Sequence, residues 1–220
     1  LSRESPLNPR WFPYGNFPLY LLKLSSAAFP DIDMRLVGRA LAGLFDVATV
    51  ALVYLLGTRL FGRKVGLLAS ALTAVTVLHI QLSHFYTSDV LLTTFAVATL
   101  FFLARGMGKR DSLSALLAGV SLGLALASKA SAASLFAPVL AAYVLQTTTA
   151  TERPLLLRLR SALGGLLVTG GAAALTTAIA QPYALLDWPT YLADTLRESQ
   201  MVRRTVDLPY TRQYINTPAF

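Results

Sequence analysis

Lys129 interrupts an apolar stretch, Leu126-Ala127-Ser128-Lys129-Ala130-Ser131, and the small residues on both sides leave its ammonium reachable. A point charge in that setting suits a lipid phosphate. An ordinary interfacial lysine in a short hairpin would look the same. Asp89 closes the densest polar run outside the two ends of the chain, His79-Ile80-Gln81-Leu82-Ser83-His84-Phe85-Tyr86-Thr87-Ser88-Asp89, which holds both histidines. A carboxylate at the mouth of a helix can act as an acid, or simply cap amides and favour the dipole. His84 and Asp89 could share a divalent ion, since imidazole and carboxylate suit zinc or manganese. Two ligands make no complete site, and their spacing matches no local metal motif.

Arg39 precedes Asp46 by seven positions, two turns away on one helical face. They read as a buried pair, with Arg39 alternatively snorkelling outward while Asp46 meets a polar neighbour. The sharper reading turns Arg39 toward a cavity to hold an anionic headgroup, with Asp46 orienting it and Arg35 extending the basic strip. From Gln181 onward, Tyr183, Trp188, Tyr191, Tyr210 and Tyr214 interleave with Arg197, Arg203, Arg204 and Arg212. Aromatic faces suit sugar or peptide and guanidinium forks suit phosphate, although a solvated interfacial helix over 189–204 would look similar. No phosphate-cradling glycine loop, nucleophile elbow or paired-histidine zinc helix is present.

The elements that must position these groups are membrane spans. Of 220 residues, 55% are hydrophobic and only 14% charged, well below the quarter expected of a soluble domain. The apolar residues fall in blocks of about twenty, enough to cross a bilayer as helix. Spans are predicted over about 36–58, 65–82, 90–104, 113–127, 132–145 and 162–180, giving an all-α polytopic membrane protein with about six transmembrane helices. Residues 1–34 form a loop with a short interfacial helix from Pro18 to Phe29, with Trp11, Tyr14 and Tyr20 at headgroup depth. Residues 35–180 are the helical bundle, and 181–220 a loop cut before a further span. The paired glycines Gly164-Gly165 and Gly170-Gly171 suggest close helix packing.

Net charge is +8, but the bases cluster between apolar blocks, a pattern for lipid headgroups rather than nucleic acid. Arg59, Arg63 and Lys64, then Arg105, Lys109 and Arg110, then Arg153, Arg158 and Arg160 make nine of the nineteen bases. They fall on one side, so the positive-inside rule makes those turns cytoplasmic. The elaborate polar segments then face outward from the plasma membrane, where any chemistry is expected. Cysteine is absent, which removes disulfides and cysteine-based metal or redox sites. Leu1 to Arg10 lacks a basic leader followed by an apolar core, and the chain reads as a piece of a longer protein.

Several segments, weak singly, gain specificity from their order and spacing: Tyr14-Gly15-Asn16-Phe17-Pro18-Leu19-Tyr20, Arg35-Leu36-Val37-Gly38-Arg39, Leu60-Phe61-Gly62-Arg63-Lys64-Val65-Gly66-Leu67-Leu68-Ala69, Thr87-Ser88-Asp89-Val90-Leu91-Leu92, Gly123-Leu124-Ala125-Leu126-Ala127-Ser128-Lys129 and Gln181-Pro182-Tyr183. Over nearly its whole length the chain resembles membrane glycosyltransferases of the GT-C type, in particular bacterial relatives of protein O-mannosyltransferases and of the lipid A aminoarabinose transferase. The resemblance implies transfer of a hexose or pentose from a polyprenyl-phosphate donor to a protein or lipid-glycan acceptor on the outer face. It places the main catalytic base in a loop upstream of Leu1, and a second acid, which in some relatives helps bind a metal, at Asp89. Relatives often carry a lysine before Pro-Pro-Leu that contacts the lipid phosphate. Here Asn16-Phe17-Pro18-Leu19 has none, so Lys129 or Arg39, with Arg35, is expected to replace it. Tyr14, Tyr183, Arg203, Arg204, Tyr210 and Arg212 are the expected substrate contacts, and His84 with Asp89 the expected ligands of any divalent metal.

Two other classes compete. A transporter or lipid flippase would also hold charges at membrane depth, but with broken spans and comparable loops on both sides. Here the loops are lopsided and the spans read as continuous. A non-catalytic membrane subunit is the remaining reading.

Overall fold

The computed structural model describes residues 4, 5, 7–107, 111–149 and 154–202. Among them every regular element is helical: α1 (Phe17–Ala28), α2 (Met34–Phe61), α3 (Arg63–Ala74), α4 (Val77–Ser83), α5 (Ser88–Gly106), α6 (Ser112–Ser128), a 3-10 helix (Ala130–Leu135), α7 (Phe136–Thr149), α8 (Leu155–Ala180), α9 (Tyr183–Leu186) and α10 (Trp188–Val202). The chain divides into two compact units, Tyr14 to Pro182 and a smaller one joining residues up to Pro13 with those from Tyr183 on.

In the larger unit, α2, α5, the run Ala130–Thr148 and α8 are each long and apolar enough to cross a membrane. A fifth candidate span, α3 with α4, is bent by 59° at its break. The expected continuous span over 65–82 is thus broken at Val75-Thr76, where neither proline nor glycine stands. Thr73 Oγ1 turns back to Ala69 O (2.9 Å) and Thr76 Oγ1 to Leu72 O (2.8 Å) at the break, bonds that Thr94 and Thr99 also make within the unbroken α5. Only 11% of the most apolar stretch of α2 is buried, against 39% in α5, so α2 offers lipid most of its surface. Leu44 and Val47 are each 68% exposed, acceptable where the solvent is hydrocarbon.

The centre of the unit is α6, whose 17 residues fall short of the other spans. It is rich in small side chains, and α5 and α8 pack against it. A Cβ on Gly119 would overlap the Thr169 carbonyl oxygen, and one on Gly123 would lie 2.6 Å from Ala173 O. Close packing of α6 on α8 therefore depends on these two glycines. Gly164, Gly170 and Gly171 have no atom within 4 Å of an added Cβ, so the packing role the sequence suggested for the α8 pairs is realised only at Gly165. Interhelical hydrogen bonds complete the joint: Thr169 Oγ1 donates to Ala115 O (3.0 Å) and Thr177 Oγ1 to Gly123 O (3.2 Å). On the other side Thr49 and Thr94 hydroxyls meet at 2.8 Å between α2 and α5. In lipid such bonds and tight contacts replace the hydrophobic drive for association.

In the smaller unit the N-terminal segment is tied to α10. Asn8 Nδ2 donates to Asp187 Oδ2 (3.0 Å), Phe12 N to Asp194 Oδ2 (2.8 Å), and the Phe12 ring meets Tyr191 edge-on at 5.7 Å.

Candidate functional site

At the end of the larger unit where α6 stops, the backbone turns extended at Lys129 (φ −160°, ψ 133°). Its N–H still reaches Ala125 O (3.0 Å), and its carbonyl accepts from Ala132 N (3.0 Å) to open the 3-10 helix. Helical structure on both sides thus fixes the lysine backbone. The ammonium donates to Asp89 Oδ1 at 2.8 Å and lies 5.4 Å from the centre of the Tyr14 ring, within cation–π range. Asp89 stands in the first turn of α5, where the helix dipole favours a carboxylate. The two side chains are 28% and 45% exposed, so the pair is open to a ligand and worth little to stability by itself. An ammonium has three donors, and this one has a single hydrogen-bond partner among the described residues.

The aromatic side of the site is a loop clamped onto α6. Gly15 N donates to Ser128 O (3.0 Å). A Cβ at Gly15 would overlap the carbonyl oxygen of Ala127 and lie 2.8 Å from the Ser128 carbonyl carbon, so only glycine permits this approach. Asn16 follows, wholly buried, with neither Oδ1 nor Nδ2 partnered. Gln181 is also buried with its Nε2 unpartnered. The steps Thr169–Ala115 and Thr177–Gly123 set Gln181 level with Ala127, near the end of α6. Unsatisfied buried amides cost about 1–3 kcal/mol each. Their concentration at this end therefore marks it out from the rest of the unit.

Tyr86 locks the loop's far side. Its hydroxyl donates to Pro18 O (2.8 Å) in the first turn of α1, and burial pushes its pKa up to about 12, so it remains a donor at any physiological pH. Phe17 meets Phe95 at 5.9 Å and Phe95 meets Phe45 at 5.6 Å, joining α1 to α5 and α2. The sequence reading did not single out Tyr86, Gly15 or Asn16 as individual functional residues. Glycine and asparagine directly before a proline-opened helix were the available signal.

The remaining expected residues are dispersed. Arg35 pairs with Asp33 (2.9 Å) on the surface, and that guanidinium holds the Asp33 carboxyl below the ordinary range. Arg39 is exposed. Asp46 does not take Arg39 as its partner: its Oδ1 lies 2.6 Å from His79 Nδ1, both partly buried, bringing α2 to the broken span. His84 Nδ1 lies 2.7 Å from Ile80 O and so donates, leaving Nε2 as the ligand nitrogen. Asp89 is engaged by Lys129, and among the described residues no cluster of three or more metal-ligating side chains stands with His84 and Asp89. Tyr183 is buried at 1% exposure, so its ring offers no open face. Arg203, Arg204, Tyr210 and Arg212 lie outside the described residues.

The site can thus place a positive charge, a half-exposed aromatic face and underused amides around an anionic, hydroxyl-bearing group. Residues 17–179 match the family model of dolichyl-phosphate-mannose-protein mannosyltransferases. No curated protein and no solved structure matches the chain. The match begins at α1, passes through Asp89 and Lys129 and ends in α8, and the chain belongs to the dolichyl-phosphate-mannose-protein mannosyltransferase family, membrane glycosyltransferases of the GT-C type.

Proposed function

We propose that this glycosyltransferase takes a hexose or pentose from a polyprenyl-phosphate donor and passes it to a protein or lipid-glycan acceptor at the outer face of the plasma membrane. The observation that carries this reading is the Lys129 ammonium, held between Asp89 and the Tyr14 ring where α6 ends. The donor's phosphate is the leaving group, and negative charge grows on it as the glycosidic bond breaks. A preplaced cation stabilises that charge more in the transition state than in the ground state. Asp89 orients the ammonium and is the second acid of the site. The Tyr14 ring offers a face to the sugar, and the lipid-facing helices receive the prenyl chain. Lys129 suits the phosphate better than Arg39 or Arg35, because the loop where relatives carry their lysine is hydrogen-bonded to Ser128 beside it, while Arg35 is committed to Asp33. The outward orientation rests on the bases gathered in the opposite turns.

Lys129→Ala should weaken binding of a polyprenyl-phosphate hexose about ten- to a hundredfold, the worth of a charge-assisted hydrogen bond, and Lys129→Arg should restore part of it. Equal donor affinity in wild type and Lys129→Ala would remove this lysine from the site. The bend of α3 against α4 favours one second reading, lipid translocation, since broken spans line transport paths. Proteoliposomes that move the donor across the bilayer without transferring sugar would establish it.

A further inference from the structure

The opposite end of the larger unit carries a cleft of about 480 Å³ between α5, α6, α7 and α8. That volume lies within the range of small-molecule sites. Its walls include Phe102, Leu103, Tyr143, Leu157 and Val168, and Arg160 stands among the lining residues. Leu157, Arg160, Ser161, Gly164, Gly165 and Val168 recur at three- and four-residue steps, so one face of α8 forms the wall.

Three other described arginines at this end, Arg59, Arg105 and Arg158, already have work, and Arg63 is not among the residues that line the cleft. Arg59 donates to Ala104 O and Arg105 O at 3.3 Å, closing the C-terminus of α5. Arg105 lies 3.8 Å from Asp111, and Arg158 donates to Thr147 O at 3.3 Å near the end of α7. Asp111, the acid lining the cleft, is capped onto Ser114 N (3.1 Å) and Ser114 Oγ (2.6 Å). Arg160 is exposed and has no partner among the described residues.

Depth decides what kind of anion belongs there. Helix α8 has 26 residues, roughly 39 Å at 1.5 Å per residue, against a hydrocarbon core of about 30 Å. Its first turns therefore reach headgroup level. Arg160 lies in the second turn, whereas Gly164 and Val168 lie one and two turns deeper. The cleft is polar where a headgroup would sit and apolar where an acyl chain would run. Glycines keep it open: a Cβ on Gly165 would lie 2.5 Å from Tyr143 Cε1, while one on Gly164 would meet nothing within 4 Å.

We propose that this cleft binds a membrane phospholipid with an anionic headgroup, its phosphate on Arg160 and one acyl chain against the α8 wall. The lipid seals the joint between α7 and α8 at the end remote from Lys129. It is a bound structural lipid, separate from the sugar donor.

The test is native mass spectrometry of the full chain in detergent, with phosphatidylglycerol or phosphatidylcholine of identical chains. Wild type should retain phosphatidylglycerol about fivefold more than phosphatidylcholine, the preference one interfacial arginine supplies. Arg160→Gln should abolish the preference, and Gly164→Phe, which fills the cleft without striking the protein at Cβ, should lower retention of both lipids. Arg160 is exposed, so its replacement leaves the fold standing, and the melting temperature of each variant controls for misfolding. Equal retention of the two lipids by wild type would overturn the proposal, as would unchanged phosphatidylglycerol retention in folded Arg160→Gln or Gly164→Phe. Displacement of the lipid by glycerol phosphate would overturn it in favour of a soluble anion.

Discussion

Where α6 ends, its last residues are roofed by the Tyr14-Gly15-Asn16 loop, and Lys129 is positioned by a carboxylate and a ring. Where α6 begins, four helices diverge around a cleft and Arg160 is left without a described partner. Both ends set a basic residue beside apolar walls, yet one cation is aimed and the other is not. Aiming a charge at a reacting group requires its reorganisation to be complete before reaction. Holding a headgroup requires only charge at the right depth. The two ends are built to these different tolerances.

The sharpest way to break the contrast is Gly15→Ala, which sets a methyl against the Ala127 carbonyl. The loop must lift from α6, carrying Tyr14 from Lys129. Overpacking of this kind costs about 1–3 kcal/mol or more. Transfer activity should fall by at least tenfold and the melting temperature should drop; retention of both would show that the loop's closeness to α6 is dispensable. Next in size is Asp46→Ala, which strands His79 between the two ends. Losing one partner of a partly buried pair costs about 1–3 kcal/mol, visible as a lower melting temperature, and the double variant with His79→Phe should recover part of it. An additive double variant would show that the pair is uncoupled.

The smallest effect is expected at the cleft. Hydrogen bonds from Ser114, then the charge of Arg105, hold the Asp111 carboxyl below the ordinary range. Because the folded-state pKa is depressed, the stabilisation is present above the unfolded-state value and is lost as pH falls through the folded one. Asp111→Asn should therefore lower the melting temperature slightly at neutral pH, and the difference from wild type should vanish at strongly acid pH. A difference that persists there would mean that Asp111 acts through packing rather than charge.

Much of the bundle could be read from apolar blocks, because bilayer thickness demands them wherever a helix crosses. Helices α2, α5, α6 and α8 fall where the blocks predicted, within a few residues except at the start of α8, which extends to Leu155. The bend between α3 and α4 leaves no mark in the pattern, because the stretch stays apolar across the break. The glycines conspicuous in sequence, Gly164, Gly170 and Gly171, touch nothing at Cβ, while the less conspicuous Gly119 and Gly123 bring α6 against α8. Which face of a helix meets a neighbour depends on the neighbour's position, which local pattern does not encode.

The same limit governed the charges. Asp46 and Arg39 share a helical face by spacing, yet His79, from another helix, is the partner found. Asp89 and Lys129 are each conspicuous in the sequence, but forty residues separate them, and no periodicity links residues on different spans. The sequence by itself determined that the chain is helical, crosses a membrane and carries its bases in particular turns, because these follow from composition and the cost of exposing polar backbone to lipid. Only the tertiary structure decided which ion meets which, because pairing at a few ångströms is set by the register of packed helices, to which hydropathy is blind.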